Sequence, residues 1–348
     1  MLAAVLHGVK DLRIEQRPVP RPEPGMLLVR VRRAGVCGTD VHYFEEMRFG
    51  SFPVTAPFIL GHELTGEVVA LGQGVQETLL GQRVVVNPSR QCGHCDYCRS
   101  GRGNLCRNVR MLGSASTRPP TDGAFCQYLA LGAEQCFPIG PEVDDGIAAL
   151  MEPLAVALHS VRRGGPVAGK QVIVTGGGPI GLLCVIVARA YGATTVALSD
   201  PLEHRRAMAV QCGADAVLDP LAASFREDVA RLCGDGFDLM FEASGAAPAA
   251  RMAFEILCRG GTLVQIGVFS APEFSLPFNQ LMIRELQLVG SFRYGNVFEE
   301  GIRLLTAGRL DLRPLVSRVY PLAQASQALA AACSKDGVVK IQLDMMQD

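Results

Sequence analysis

The middle of the chain alternates between short segments rich in β-branched residues and longer apolar segments with helical spacing. The predicted strands cover residues 170–175, 195–199, 216–218, 237–242 and 262–266, and the predicted helices cover 179–191, 202–212, 225–232 and 248–258. Strands that alternate with helices run parallel, because each helix returns the chain to the same end of the sheet. The alternation therefore predicts a doubly wound α/β domain.

A glycine-rich turn, GGGPIG at 176–181, joins the first of these strands to the first helix. Its first, third and sixth residues, Gly176, Gly178 and Gly181, match the dinucleotide-binding fingerprint. The first glycine permits the tight turn, the second lets a pyrophosphate approach the backbone, and the third allows close packing of helix on strand. The helix N-terminus attracts the phosphate charge. A tight glycine turn without a ligand is the alternative interpretation.

Asp200 follows the second predicted strand, where an acidic side chain hydrogen-bonds the ribose hydroxyls of a dinucleotide. A carboxylate at this place repels a 2′-phosphate, so the residue favours NAD over NADP. Arg205 and Arg206 lie just beyond it and weaken that preference, since a guanidinium pairs well with phosphate.

The first 150 residues differ from the middle of the chain, because short predicted strands there are joined by turns rich in proline and glycine. Residues beyond 291 have no regular pattern, and the last segment is too short to form a core of its own. We therefore expect a β-rich domain at 1–153 that residues 295–348 complete, with the α/β domain at 154–294 between these two segments.

Four cysteines, Cys92, Cys95, Cys98 and Cys106, lie close together in the β-rich part. Glycine and polar residues separate them, so all four sulfurs can turn toward one metal ion. Four thiolates complete a tetrahedron and leave no position for a substrate, which predicts a structural zinc site. Two disulfides or free buried thiols are the alternatives, and a reducing compartment disfavours the disulfides.

A second candidate metal site combines one thiolate, one imidazole and one carboxylate, from Cys37, His62 and Glu63. Three mixed ligands leave a fourth position open, which is the pattern of catalytic zinc. Each residue alone has an ordinary explanation, since a lone cysteine is usually a core residue and Gly-His-Glu is usually a turn. Their occurrence together, upstream of a dinucleotide fold, favours the metal site.

Three further polar residues are candidates for roles around that site. Thr39 and His42 follow Cys37 closely, and a hydroxyl with an imidazole could carry a proton from a substrate to bulk water. An ordinary surface histidine is the alternative for His42. Glu152 lies among apolar residues at 151–155, where a carboxylate is costly unless zinc, its water or another donor meets it. An acid at a helix N-terminus, stabilised by the helix dipole, is the alternative for Glu152.

The overall composition excludes several classes of protein. The chain has 348 residues, of which 49% are hydrophobic and 19% charged, and its net charge is −1. A charge near zero argues against general binding to nucleic acid or to anionic membranes. The sequence shows no signal-peptide core and no apolar run of membrane-spanning length. We therefore expect a cytoplasmic protein whose 12 cysteines are metal ligands or core residues.

Together these segments resemble the zinc-dependent medium-chain alcohol dehydrogenases, and within them the polyol (sorbitol-type) dehydrogenases. The resemblance extends over the whole chain and is carried by CGTDVHY at 37–43, GHE at 61–63, the four-cysteine segment, EPLAV at 152–156 and GSFRY at 290–294. It implies a GroES-like catalytic domain, which carries the zinc lobe at 92–106, and a Rossmann domain. It also implies NAD, two zinc ions per chain and a homotetramer or homodimer.

The resemblance also assigns roles to individual residues. It implies that Cys37, His62 and Glu63 bind the catalytic zinc, and that Glu152 hydrogen-bonds the zinc water or enters the coordination shell. The implied NAD contacts beyond the glycines are Ile180, Asp200, Arg205, Val268, Ser291, Phe292 and Arg293. The implied substrate contacts are Tyr43, Glu152, Arg293 and Tyr294, with Ser114 as a further hydroxyl group suited to a polyhydroxylated chain.

Within the polyol branch the chain resembles the L-idonate 5-dehydrogenases, through NPS at 87–89, LGSA at 112–115 and TDGAF at 121–125. This resemblance implies a small-molecule sugar acid as substrate, L-idonate, which is oxidised at C5 to 5-ketogluconate. The cationic Arg293 could pair with its carboxylate. The loop at 116–120 departs from the pattern of that group, and a sorbitol- or xylitol-type polyol dehydrogenase is the alternative.

Two non-enzymatic alternatives rest on parts of the sequence. The four-cysteine segment alone permits a zinc-ribbon module that binds nucleic acid, because several arginines lie near it, but the net charge of the chain is near zero. A non-catalytic binding relative would be expected to lack the catalytic ligands, whereas Cys37, His62 and Glu63 are all present.

Overall fold

The computed structural model describes residues 1–270, 273–334 and 337–347. Within these residues the strands, in chain order, are β1 (Leu2–Gly8), β2 (Asp11–Gln16), β3 (Met26–Gly35), β4 (Arg48–Phe49), β5 (Phe52–Pro53), β6 (Phe58–Ile59), β7 (Glu63–Leu71), β8 (Arg83–Val86), β9 (Ser89–Arg90), β10 (Arg110–Met111), β11 (Tyr128–Gly132), β12 (Cys136–Pro138), β13 (Gln171–Thr175), β14 (Thr195–Ser199), β15 (Ala216–Leu218), β16 (Phe237–Glu242), β17 (Leu257–Gln265), β18 (Gln287–Gly290), β19 (Val316–Pro321) and β20 (Lys340–Asp344).

The α-helices of the same residues are α1 (Gly38–Glu46), α2 (Asp96–Arg99), α3 (Asp145–Ala148), α4 (Met151–Arg163), α5 (Pro179–Ala190), α6 (Glu203–Gln211), α7 (Phe225–Cys233), α8 (Ala247–Ile256), α9 (Phe278–Ile283), α10 (Phe298–Thr306) and α11 (Ala325–Ser334). No helix in the described part of the chain has both the length and the apolarity that a membrane crossing requires.

The chain divides into two compact units. The first unit contains Met1–Glu152, Phe298–Ala307 and Leu315–Asp348, and the second contains Pro153–Val297 and Gly308–Pro314. The division near the middle of the chain falls inside α4. The short segment Gly308–Pro314, which no sequence pattern assigns to the α/β domain, belongs to the second unit.

The first unit is built on a seven-stranded sheet in the order β12–β8–β7–β3–β20–β19, with β11 also paired to β3. Strand β3 is central to it, and its side chains at Leu27, Val29 and Val31 are buried in the core at the period of two that a strand requires. Strand β20 pairs antiparallel with β3, with Gln342 opposite Gly35. The C-terminal part of the chain therefore supplies strands to the sheet that the N-terminal part begins.

The segment beyond residue 291, which has no regular sequence pattern, contains α10, α11, β19 and β20. Every residue of β20 is buried, including Lys340, Gln342 and Asp344. The alternation of polar and apolar residues in β20 places Ile341 and Leu343 on one face, as in a strand with one buried face. It gives no sign that the opposite face, with its three polar side chains, is buried as well.

The second unit contains a six-stranded sheet in the order β15–β14–β13–β16–β17–β18, and all of its neighbouring strands are parallel. This confirms the predicted doubly wound α/β fold. The strand order reverses between β13 and β16, and such switch points are where doubly wound sheets bind ligands. The helix predicted to reach residue 258 ends earlier, because Leu257 already pairs with Phe237 as the first residue of β17.

Candidate active site and cofactor pocket

Cys37, His62 and Glu63 meet in the first unit. Cys37 caps the N-terminus of α1, just after β3, and Glu63 begins β7 directly opposite Gly35 of β3. One ligand atom from each of the three residues lies within 4.8 Å of the other two. The pairing of β3 with β7 thus brings together a thiolate, an imidazole and a carboxylate from two segments of the chain.

The donor set of this cluster fits a metal ion with an open coordination position. His62 and Glu63 are 4% and 1% exposed, and Oε2 of Glu63 is buried without a hydrogen-bond partner. A buried acceptor without a donor is costly, and a bound cation would remove that cost. Sulfur, imidazole nitrogen and carboxylate oxygen together are ligands of catalytic zinc sites.

Asp40 is a residue of this site that the sequence analysis missed. It is fully buried, and its Oδ2 accepts the N–H of Cys37 at 2.8 Å while its Oδ1 accepts the N–H of Gly61 at 3.0 Å. The same Oδ1 lies 3.8 Å from Nδ1 of His62. One carboxylate therefore fixes both ligand-bearing segments. Its sequence signal is an acid at the third position of a helix, which bonds back to the N-cap.

Lys340 is the second residue that was missed. Its Nζ donates to Oε1 of Glu63 at 2.8 Å and to the carbonyl oxygen of Val36 at 3.1 Å, and the side chain is 4% exposed. No sequence signal indicates this contact, because a lysine in a short C-terminal strand is normally exposed.

The electrostatics of the cluster favour positive charge. Burial opposes the charged form of His62, but Cys37 and Asp40 raise the pKa of its imidazole well above the usual value. Burial likewise opposes the ammonium of Lys340, but Glu63 and Cys37 raise its pKa above the usual value. The acidic groups therefore outweigh desolvation at both positions, as expected at a site that a cation completes.

Glu152 lies near this cluster but is not part of it. The residue is 6% exposed in the first turn of α4, and its negative charge contributes to the raised pKa values of His62 and Lys340. Its carboxylate is not among the ligand atoms that lie within 4.8 Å of one another. This arrangement fits a role beside the metal more closely than a permanent place in the ligand set.

Thr39 and His42 both lie on α1. Oγ1 of Thr39 is 3.9 Å from Sγ of Cys37. The side chain of His42 is 53% exposed, and its Nδ1 lies 3.5 Å from Oε1 of Glu46. His42 is therefore a surface histidine, as its alternative interpretation expected. The last residue of a proton path to water must also lie at the surface, so the position fits both interpretations.

Tyr43 and Ser114, two candidate substrate contacts, have partners within the first unit. The hydroxyl of Tyr43 accepts the N–H of Ala115 at 3.1 Å, and the residue is 1% exposed with its ring edge-on to Phe58. The hydroxyl of Ser114 lies 3.0 Å from that of Ser116. The fold therefore brings Tyr43 next to the 114–115 segment, as part of the core.

The four-cysteine lobe also gathers its ligand atoms within 4.8 Å of one another, and all four cysteines are free. The N–H of Cys92 donates to Sγ of Cys106 at 3.3 Å. The N–H groups of Arg107 and Cys98 lower the pKa of Cys95 to about 6, whereas burial and Cys95 raise that of Cys98 to about 12. Backbone donors directed at sulfur stabilise thiolates, so the lobe fits a closed zinc site.

The second unit contains a cavity of about 730 Å³ at the carboxyl ends of its strands. Its lining includes the predicted residues Gly176, Asp200 and Arg205, with apolar walls that include Phe225 and Met252. The apolar walls come from residues that carry no motif, and the sequence analysis did not identify them.

The glycine turn has the geometry that a nucleotide site needs. Gly176 has φ +95°, which side chains rarely allow, and a Cβ at Gly181 would collide with the carbonyl oxygen of Gly176. A Cβ at Gly178 would meet nothing within 4 Å, so the turn has open space at that residue. Ile180 follows in the first turn of α5 and is partly buried.

The remaining candidate contacts of the second unit lie outside the lining of that cavity. The hydroxyl of Ser291 is 3.0 Å from that of Ser160. Val268 and Phe292 are 77% and 55% exposed, whereas Tyr294 is buried. Arg293 has φ +54°, and its guanidinium lies over the ring of Phe292 at 4.9 Å.

Comparison with protein families gives two matches. Residues 23–141 match the alcohol dehydrogenase GroES-like domain, and residues 179–307 match the zinc-binding dehydrogenase domain. The first match includes both sets of candidate zinc ligands, and the second begins at the helix that follows the glycine turn.

Similar proteins of known activity extend over nearly the whole chain. Sorbitol dehydrogenase of Bacillus subtilis strain 168 is 35% identical over 95% of this chain and 93% of its own. L-Idonate 5-dehydrogenase (NAD(P)(+)) of Escherichia coli strain K12 is 34% identical over 98% of each chain. The crystal structure of L-idonate 5-dehydrogenase from Escherichia coli K-12 superposes with a TM-score of 0.93 at 33% identity, covering 99% of this chain and 98% of that one.

Proposed function

Since the chain belongs to the zinc-dependent medium-chain alcohol dehydrogenases, in their polyol branch, we propose that it oxidises a secondary alcohol of a sugar acid with NAD. L-Idonate, oxidised at C5 to 5-ketogluconate, is the substrate that we propose first, and a sorbitol- or xylitol-type polyol is the alternative. Family membership makes the protein an oxidoreductase of CH–OH groups, so the nucleic-acid-binding and non-catalytic alternatives no longer apply.

One observation carries this proposal: the buried cluster of Cys37, His62 and Glu63, in which Oε2 of Glu63 has no hydrogen-bond partner. We propose that these three residues hold the catalytic zinc and that the four cysteines of the lobe hold a second, structural zinc. When bound, zinc supplies a Lewis acid for the alcohol hydroxyl, and the nicotinamide supplies the hydride acceptor.

The residues around the cluster orient the ligands and handle the proton. Asp40 fixes Cys37 and the 61–62 segment through its hydrogen bonds. The hydroxyl of Thr39 accepts the alcohol proton as it releases its own proton toward His42, which passes a proton to water from its exposed position on α1. Glu152 orients the water or the alcohol at the open position, and we propose Tyr43, Ser114 and Tyr294 as contacts of the polyhydroxylated chain.

We assign the dinucleotide to the cavity of the second unit, with its pyrophosphate at the glycine turn and its ribose at Asp200. A carboxylate at the ribose supports NAD as the preferred cofactor, and Arg205 supports some use of NADP. Ile180, Val268 and the 291–293 segment are the further NAD contacts that we propose. The relative from Escherichia coli carries both cofactors in its name.

The preference for a sugar acid rests on Arg293, whose guanidinium can form a bidentate pair with a carboxylate. The test compares kcat/KM for L-idonate, sorbitol and xylitol, measured as NADH formation. L-Idonate should have the highest value. Arg293→Lys should raise KM for L-idonate far more than KM for sorbitol, because a point charge cannot replace the planar fork. Arg259→Lys, a change at an exposed arginine, is the matched control.

If wild-type enzyme oxidises sorbitol with the higher kcat/KM, the sugar-acid proposal fails and the general polyol dehydrogenase takes its place. If none of the three alcohols reduces NAD while the chain holds two zinc ions, the substrate belongs to another class of alcohol.

A further inference from the structure

The two carboxylate oxygens of Glu63 lie in different environments. Oε1 accepts a hydrogen bond from Nζ of Lys340 at 2.8 Å, whereas Oε2 is buried without a hydrogen-bond partner. An ionised carboxylate has about four acceptor sites on its two oxygens. The hydrogen bond from Lys340 takes one acceptor site of Oε1, whereas Oε2 has both of its sites available to a cation.

The ammonium of Lys340 is fixed in its place. It donates to the carbonyl oxygen of Val36 as well as to Glu63, and its strand β20 pairs with β3 at Gln342 and Gly35. The side chain is 4% exposed, so no bulk water competes for its hydrogen bonds. A long, flexible side chain becomes an accurate positioning element only when it is held in this way.

Gly35 has no side chain, and this leaves room for Oε2 of Glu63. The residue stands opposite Glu63 in the pairing of β3 with β7, and a Cβ at Gly35 would collide with Oε2 of Glu63. The backbone of β3 thus forms the wall against which this oxygen rests, and any larger residue at position 35 would displace the carboxylate.

On the premise of the proposed zinc dehydrogenase, we propose that Lys340 is a positioning residue that keeps the fourth coordination position of the catalytic metal open. It does so by holding Oε1 of Glu63 in a charge-assisted hydrogen bond, which makes that oxygen the poorer ligand and leaves Oε2 to serve the metal together with Cys37 and His62. A carboxylate with both oxygens free can bind a metal through both of them, and the second oxygen then takes the place of the substrate. The ammonium also withdraws charge from Glu63 and so weakens its donation to the metal.

The test replaces Lys340 with methionine, which keeps the length of the side chain and removes the charge. Lys340→Met should retain two zinc ions per chain and bind the catalytic zinc no more weakly in competition with a chelator, because a neighbouring cation is removed. Its kcat should fall about 10- to 100-fold, with a smaller change in KM. After cobalt(II) substitution its visible absorption should weaken relative to wild type, as expected for a higher coordination number. Lys340→Arg should restore much of kcat and of the cobalt spectrum.

Two further variants separate positioning from structural support. Gln342→Leu removes the hydrogen bond to the carbonyl oxygen of Gly146 from the same buried strand, so it should lower Tm and leave the cobalt spectrum unchanged. Gly35→Ala should displace Oε2 and weaken binding of the catalytic zinc about tenfold or more.

The proposal is overturned if Lys340→Met loses the catalytic zinc, or if it keeps the wild-type kcat and cobalt spectrum. It is also overturned if Gln342→Leu changes the spectrum as Lys340→Met does, since both effects would then come from a loosened β20. A wild-type chain with only one zinc ion, or without dehydrogenase activity, would instead contradict the proposed function.

Discussion

The N–H of Gly177 donates a hydrogen bond of 2.8 Å to Oδ2 of Asp200, which ties the glycine turn after β13 to the residue that follows β14. Oδ1 of the same carboxylate accepts the N–H of Leu202 at 2.8 Å. Asp200 is 2% exposed and lines the cavity. The acid that we assign to the ribose is therefore held in place by the backbone before any ligand arrives.

Cofactor preference should depend on Asp200. Wild-type enzyme should have a higher kcat/KM with NAD than with NADP, and Asp200→Ser should narrow or reverse that ratio, because Arg205 and Arg206 could then meet a 2′-phosphate. Steady-state kinetics with both cofactors measure the ratio. Adding Arg205→Ala to Asp200→Ser should remove the gain with NADP, and a wild-type preference for NADP would contradict the assignment.

The two cysteine sites should respond differently to the loss of one sulfur. Cys37→Ser should abolish most activity and lower zinc from two ions to one, with little change in Tm. Cys98→Ser should lower the free energy of unfolding by about 2 kcal/mol or more, because a closed zinc site stabilises the fold. Metal analysis and thermal unfolding distinguish the two cases. Near-full turnover in Cys37→Ser would refute the catalytic assignment.

Glu152→Gln should keep cofactor binding and lose about 10- to 100-fold in kcat, since the neutral amide is a weaker acceptor for the alcohol or water at the open position. NADH binding, followed by fluorescence, supplies the control for the fold. An unchanged kcat would leave Glu152 with the role of an acid at the start of α4.

Zinc binding at the catalytic cluster should weaken as the pH falls. The pKa of His62 is raised well above its usual value, so the imidazole carries a proton over a wider pH range and must release it before it can bind a metal. The affinity should fall about tenfold per pH unit for each proton displaced. Titration of the zinc-free chain at several pH values measures this slope, and His204→Asn, an exposed change on α6, should leave it unaltered. A slope of zero would show that His62 binds no proton there.

Self-association should involve β18, which ends the parallel sheet of the second unit. Leu288 of β18 is 42% exposed, and Phe278, Met282 and Ile283 of α9 are 56–70% exposed. An open strand edge beside apolar side chains is a surface that a second copy of the chain can cover. Light scattering should show a dimer or tetramer for wild type and smaller species for Leu288→Lys. Val210→Glu on α6 should not change the mass, and a monomeric wild type would contradict the proposal.

The parallel sheet and the two clusters of candidate zinc ligands were predictable because their signals are local. The strand before GGGPIG and the helix after it are contiguous, and the thiols of the lobe lie within one short segment. Cys37 and His62 are farther apart in the chain. However, β3 ends just before Cys37 and β7 begins just after His62, so the pairing of these two strands brings the two motifs together.

The missing parts of the site depend on tertiary pairing. Asp40 acts through backbone N–H groups of two segments, and Lys340 reaches Glu63 only because β20 pairs with β3. The alternating residues of β20 indicate a strand with one buried face, but not that its polar face is buried too. For Tyr43 the motif suggests a substrate contact, but it does not reveal that the side chain is buried in the core.

The contact between Lys340 and Glu63 has a consequence for the order in which the site is made. The two residues are 277 positions apart in the chain, and at about 5–20 residues per second the ribosome adds the lysine about 14–55 s after the glutamate. During that interval the nascent chain has the thiolate, the imidazole and the carboxylate but not the ammonium. On the role that we propose for Lys340, zinc that binds a nascent chain early meets a glutamate without its ammonium partner, and the substrate position opens only when the last strand joins the sheet.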